Sequence, residues 1–137
     1  MDLAYLMVTK DEAIFIIKSV VVMVRTQFAA TVKVIRSDNA LELSISHEAL
    51  GFFAEIGIIH QTSCIQTPQQ NGVVEREHKH LLEVSRALLF QSYLPIKYCG
   101  ECVLTATYLI NRMPSKVLRN KTPYDILYGK APSYENT

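Results

Sequence analysis

A chain of 137 residues has room for one ordinary domain with a real core. With 49% apolar and 20% charged side chains it is neither a disordered nor a fibrous sequence, and a net charge of +1 singles out no partner by itself. The charge is unevenly laid out, since residues 1–96 carry 8 basic and 10 acidic side chains whereas 97–137 carry 6 and 3. Arg112, Lys116, Arg119 and Lys121 form a stretch with no acid among them. It reads first as a solvated surface segment and second as a patch facing phosphates. Cys64, Cys99 and Cys102 suit a reducing compartment rather than a disulfide framework. The apolar run from Ala13 to Val24 is interrupted by Lys18 and is too short to span a bilayer, so no membrane role is expected.

Taken in order, Asp2 to Val8 reads as a short apolar strand. Thr9 and Glu12 have the spacing of a capping box, which announces a helix. Ile14, Ile17, Val21, Val24 and Phe28 give that helix a core-facing stripe, while Phe15, Ile16, Val22 and Met23 make its other sides apolar too. Val32 to Arg36 is a second strand. A helix from about His47 to Ile56 turns Leu50, Phe53 and Ala54 inward and stops at Gly57. Ile58 to Thr62 is a third strand, and strand, helix and strand in so short a span predict a parallel βαβ unit. A polar loop around Pro68 to Gly72 leads into a long amphipathic helix capped by Asn71 and running to about Gln91. After Pro95 another helix, roughly Tyr98 to Asn111, buries Cys102, Val103, Ala106 and Ile110. Thr122, Pro123 and Asp125 open a last short helix that Gly129 ends.

Two carboxylates stand out in this plan. Asp38 follows the strand Val32 to Arg36, and Glu75 sits in the first turn or so of the long helix. A fold that brings such a pair together makes a cradle for hard divalent cations, and two ions about 4 Å apart activate one oxygen and stabilise another in phosphodiester chemistry. Lys79 and Arg86 flank Glu75 at i+4 and i+11, and Leu82 and Leu89 at i+7 and i+14 would anchor that face. The competing zinc sites are weaker. His78 and His80 point to nearly opposite sides of a helix, Cys99 and Cys102 read as structural thiols at a buried helix start, and His60 and Cys64 lack further ligands.

Several segments then become recognisable. Arg36-Ser37-Asp38-Asn39, Gly57 to Cys64, Thr67-Pro68-Gln69-Gln70-Asn71-Gly72-Val73-Val74-Glu75-Arg76, Arg86 to Phe90, Leu109-Ile110-Asn111-Arg112 and Lys121-Thr122-Pro123-Tyr124 strongly resemble the integrase core of copia-type retrotransposons, plant elements in particular. The resemblance implies an α/β, RNase H-like fold and a triad of two Asp and one Glu that binds Mg²⁺ or Mn²⁺ and joins a DNA 3′-hydroxyl to a target phosphodiester. Asp38 would be the second acid and Glu75 the third, both catalytic and both metal ligands, while Asn71, Arg76, Lys79 and Arg86 would lie near DNA.

By the same likeness the chain begins at what would be the third strand. The expectation is therefore a truncated core lacking the first two strands and the first catalytic Asp, with an open edge on Val32 to Ile35. Residues 1–113 would be this partial core and 114–137 an extension after it. DNA and further integrase chains are the implied partners, and the nucleus the implied location. Strand transfer by the chain alone is not expected, and the alternative is a non-enzymatic, DNA-binding or interaction remnant of such an element.

Overall fold

The computed structural model describes residues 1–9, 11–37, 47–62 and 72–133. Among them the elements run α1 (Glu12–Phe28), β1 (Val34–Ser37), α2 (His47–Ile56), β2 (Ile59–Thr62), α3 (Gly72–Gln91), a 3₁₀ turn (Ile96–Tyr98), α4 (Cys99–Ile110) and α5 (Pro123–Tyr128). They gather into two compact units, one formed by Met7–Glu75 and the other by Met1–Leu6 with Arg76–Thr137. Among the described residues no helix is long and apolar enough to cross a membrane.

In the Met7–Glu75 unit, β1 and β2 pair in parallel, from Val34 opposite Ile59 to Ser37 opposite Thr62. Parallel strands cannot be joined by a tight turn, and α2 lies on the connection between them. What stops α2 is Gly57, whose φ of 71° is left-handed. The Ile58 amide donates to the Phe53 carbonyl at 2.8 Å and the Gly57 amide to the Ala54 carbonyl at 3.3 Å. These are the two bonds of a Schellman stop, and they fold Ile58 back toward Phe53. Both residues belong to the unit's core with Ile14 and Ala49, and Ile17, Val21, Val32, Ile35 and Phe52 pack around them.

The α1 stripe therefore faces inward as its periodicity predicts. On its other sides Phe15 and Val22 are 62% and 58% exposed, whereas Ile16 and Met23 are half-buried. The inward face of α2 is turned from the expected one. Ala49 and Phe53, one helical turn apart, are buried, whereas Leu50 and Ala54 face solvent. Ala49 has no side chain beyond Cβ, and Phe53 fills the space next to it. The α1 start also departs from expectation. Glu12 is the first helical residue rather than the third, and the Thr9 hydroxyl donates to the Glu12 carboxylate at 3.3 Å instead of accepting a helix amide. At the other end Ala29 takes a left-handed φ of 49°, unfavourable for a residue with a Cβ. Val34 and Ile59 on the two-stranded sheet are 42% and 60% exposed, and among the described residues β1 pairs with β2 alone.

In the other unit the expected strand from Asp2 to Val8 does not form. The Asp2 amide donates to Asn111 Oδ1 and Asn111 Nδ2 donates to the Asp2 carbonyl, both at 2.7 Å. A carboxamide carries a donor and an acceptor side by side, so it satisfies the Asp2 backbone as a neighbouring strand would. Asn111 is buried, and its own carbonyl accepts the Tyr124 amide at 3.0 Å. Of the α4 residues expected inside, Cys102 and Ala106 are buried and Val103 and Ile110 half-buried, with Thr107 buried beside them. α5 starts as its sequence predicts. The Asp125 amide donates to the Thr122 hydroxyl at 2.9 Å, the Thr122 amide donates to the Asp125 carboxylate at 3.0 Å, and Gly129 closes the helix at a φ of 67°.

Two outcomes follow from these backbone features. Replacing Ala29 with glycine relieves the left-handed strain and is expected to raise stability by about 1 kcal/mol, read from urea unfolding. Asn111→Asp keeps Oδ1 but sets a carboxylate oxygen against the Asp2 carbonyl. It is expected to cost about 1–3 kcal/mol in the same measurement.

Candidate metal and nucleic-acid site

The site is organised by the end of the sheet. Because β1 and β2 run in parallel and in register, Ser37 and Thr62 lie side by side at one edge. Asp38 is the residue that leaves β1 there. The strand ends are tied across the ladder. Ser37 Oγ lies 3.0 Å from His60 Nε2, and Arg36 Nε and Nη2 donate to Gln61 Oε1 at 3.2 and 3.0 Å. The His60 imidazole also lies tilted against the Phe53 ring, with centroids 5.4 Å apart. His60 is thus a strand residue braced by the core, not a loose loop ligand. Asp38 and Asn71, like Cys64 and the loop around Pro68, lie outside the described residues.

Glu75 is the fourth residue of α3, exposed, and its carboxylate takes up no ion pair or hydrogen bond among the described residues. At about 100° per residue, Lys79 and Arg86 fall within roughly 40° of Glu75 around the helix, and Leu82 and Leu89 fall on the opposite flank of that stripe. The exposures follow this division. Glu75, Arg76, Lys79 and Arg86 are exposed, Leu82 and Leu89 half-buried, and Ser85 is the buried centre of the helix's inner side. The Ser85 hydroxyl donates back to the Leu81 carbonyl at 2.7 Å, which lets a polar side chain lie inside. The stripe expected to anchor Glu75 is therefore the border of the packed face rather than its middle. Lys79 reaches Glu83 at 3.9 Å with both side chains largely in water, a contact of little energetic weight.

No described residues form a group of three or more His, Cys, Asp or Glu able to hold a metal ion. Cys99 is exposed and Cys102 buried, so the pair does not present two thiols to one ion. Sequence reading missed the role of Arg112. Its guanidinium lies 3.5 Å from the Tyr108 ring centroid and 4.8 Å from that of Tyr124, joining α4 to α5. Tyr at i−4 was the available sign, but the Tyr124 partner comes from another element.

The parallel pair with its crossover helix, followed by a long helix with an acid in its first turn, has counterparts of the same fold among solved structures. The chain aligns with a chain of the simian T-cell lymphotropic virus intasome in complex with PP2A regulatory subunit B56 gamma, at a TM-score of 0.67 and 20% identity, over 94% of this chain and 45% of that one. It aligns with the catalytic core domain of BIV integrase at a TM-score of 0.61 and 22% identity, over 89% of this chain and 74% of that one. No known family profile matches the sequence. Curated relatives do. Over 132 residues the chain is 35% identical to the retrovirus-related Pol polyprotein from transposon TNT 1-94 of Nicotiana tabacum, covering 96% of this chain. Over 113 residues it is 34% identical to the corresponding polyproteins from transposons RE2 and RE1 of Arabidopsis thaliana, covering 82% of it. The chain spans only 8–10% of the length of these relatives. It is a homologue of a segment of the retrovirus-related Pol polyproteins of plant transposons, with the RNase H-like fold of a retroviral integrase core.

Proposed function

We propose that this chain is a partial integrase core of a copia-type retrotransposon, built to bind DNA and a divalent cation for polynucleotidyl strand transfer. The observation that carries the reading is Glu75, an unengaged carboxylate in the first turn of α3, with the exposed cations Lys79 and Arg86 along the same stripe. In this reading Asp38 and Glu75 are the catalytic carboxylates, and residues 1–113 are core with 114–137 an extension of it. The partners would be DNA and further copies of the chain in a multimer, acting in the nucleus.

The donor set fits the proposed cation. Carboxylate oxygens are the ligands that Mg²⁺ and Mn²⁺ take, and no soft thiolate lies on the stripe to favour another metal. Asp38 and Glu75 would hold it, and when bound it would polarise a phosphodiester oxygen and stabilise the leaving one. The chain's own part is to fix geometry. The Ser37–His60 and Arg36–Gln61 contacts stiffen the strand end from which Asp38 departs. Arg76, Lys79 and Arg86 would neutralise the phosphates of the DNA that approaches Glu75, and the Asn71 carboxamide would donate a hydrogen bond to them.

A non-catalytic DNA-binding role is the second reading, favoured by the exposed cations Lys79 and Arg86 on α3, which can pair with phosphates without a metal ion. Two acids can hold one ion but leave a second without its bridging ligand. Titration of the purified chain with Mn²⁺ tests the site. Asp38→Asn and Glu75→Gln should each weaken binding by about tenfold or more, and unchanged affinity in both variants would remove the metal site from the reading. In a joining assay with Mn²⁺ and a labelled DNA end, the 137-residue chain alone should give no joined product. Product lost on Glu75→Gln would establish catalysis and discard the second reading.

A further inference from the structure

Between α4 and α5 the chain makes a closed turn whose ends pair, Ser115 opposite Lys121. The Ser115 amide donates to the Lys121 carbonyl at 3.1 Å, and the Leu118 and Asn120 amides donate to the Ser115 carbonyl at 3.1 and 2.9 Å. The Arg119 and Lys121 amides are also bonded, to Lys116 and Leu118 carbonyls at 3.1 Å each. Arg119 and Asn120 are both left-handed, with φ of 55° and 63°. The backbone of this turn is thus fixed by its own hydrogen bonds, with those amides already committed. What it presents outward is side chains.

The turn has two sides. Ser115, Val117 and Leu118 line a cavity of about 390 Å³ together with Ile110, Met113 and Pro123. Lys116, Arg119 and Lys121 do not line it; they are exposed and form no ion pair or hydrogen bond through their side chains among the described residues. The sequence holds no acid between Glu101 and Asp125, and Asp125 is engaged in the α5 cap. The neighbouring Arg112 is occupied between two tyrosines. Three uncompensated cations on a pre-ordered loop suit a partner that offers repeated, evenly spaced anions and asks little ordering of the protein. A membrane surface is a poorer match, because the turn lacks the amphipathic helix that inserts beside anionic headgroups.

We infer that the 115–121 turn is a second nucleic-acid contact, in which Lys116, Arg119 and Lys121 grip the phosphate backbone of duplex DNA without reading its bases. The nature of the partner rests on the proposed function, but the contact is independent of the metal carboxylates. The test is salt-dependent binding of the full chain to a fluorescent DNA duplex. The triple variant Lys116→Gln, Arg119→Gln, Lys121→Gln should bind more weakly and lower the slope of log K against log salt by about one per cation removed, roughly three in all. A charge-matched variant, Arg25→Gln, Lys33→Gln, Lys130→Gln, should keep most of the slope, and both variants should unfold at the parent's urea midpoint. The inference is overturned if the turn variant keeps the parent's slope, if the control loses as much, if the parent fails to bind the duplex, or if the turn captures phosphatidylserine vesicles in place of DNA. A turn variant that binds like the parent while Lys79→Gln, Arg86→Gln does not would leave the proposed function intact and sink only this contact.

Discussion

The constraint on which the candidate site depends is the parallel pairing of β1 with β2. A parallel pair obliges the chain to cross over, which α2 does, and it brings both strand ends to the same edge. Asp38 is the next residue of the chain after that end of β1. The ladder is only four residues long on each strand, so side chains carry much of the burden of holding it. Arg36 with Gln61, and Ser37 with His60, cross-link it at the site end. Phe53 supports His60 from below, and Gly57 brings α2 to a stop that lets Ile58 enter the core. The short sheet therefore rests on a small apolar cluster of Ile14, Ala49, Phe53 and Ile58.

In the other unit a polar side chain joins three segments beside the buried Cys102 and Ala106. Asn111 uses its carboxamide to take both backbone groups of Asp2 and its carbonyl to take the Tyr124 amide. One buried side chain thereby ties the chain's beginning and the start of α5 to the end of α4. Buried polar groups are costly unless fully bonded, and here both donor and acceptor are used. The aromatic bracket around Arg112 reinforces the same junction from its outer side.

Much of this fold was legible in the sequence because the signals were local. The glycine stop at Gly57, the long helix from Gly72 and the Thr122–Asp125 cap each depend on residues a few positions apart, and the crossover unit on three adjacent elements. The misreadings share a different cause. Asp2 to Val8 has strand composition, but its backbone partner is a side chain more than a hundred residues away. The turn of α2 toward Ala49 reflects which residue meets α1, which helical periodicity alone leaves open by a position. Arg112 looked like a free surface charge because the second tyrosine of its bracket lies in another helix. Of the candidate site, Glu75 and the cations after it could be placed on one stripe from spacing alone. That the stripe runs along the border of the packed face, with Ser85 inside, needed the neighbours.

The exposed apolar side chains of the two-stranded sheet bear on how this polypeptide behaves at high concentration. Val34 and Ile59 stand in solvent on strands that pair only with each other among the described residues. Unpaired backbone beside greasy side chains is a template that any extended segment can extend, including the same segment of a second molecule. Light-scattering and dilution behaviour thus become part of interpreting every titration, because a loss of signal can report clumping of the polypeptide as readily as a lost contact.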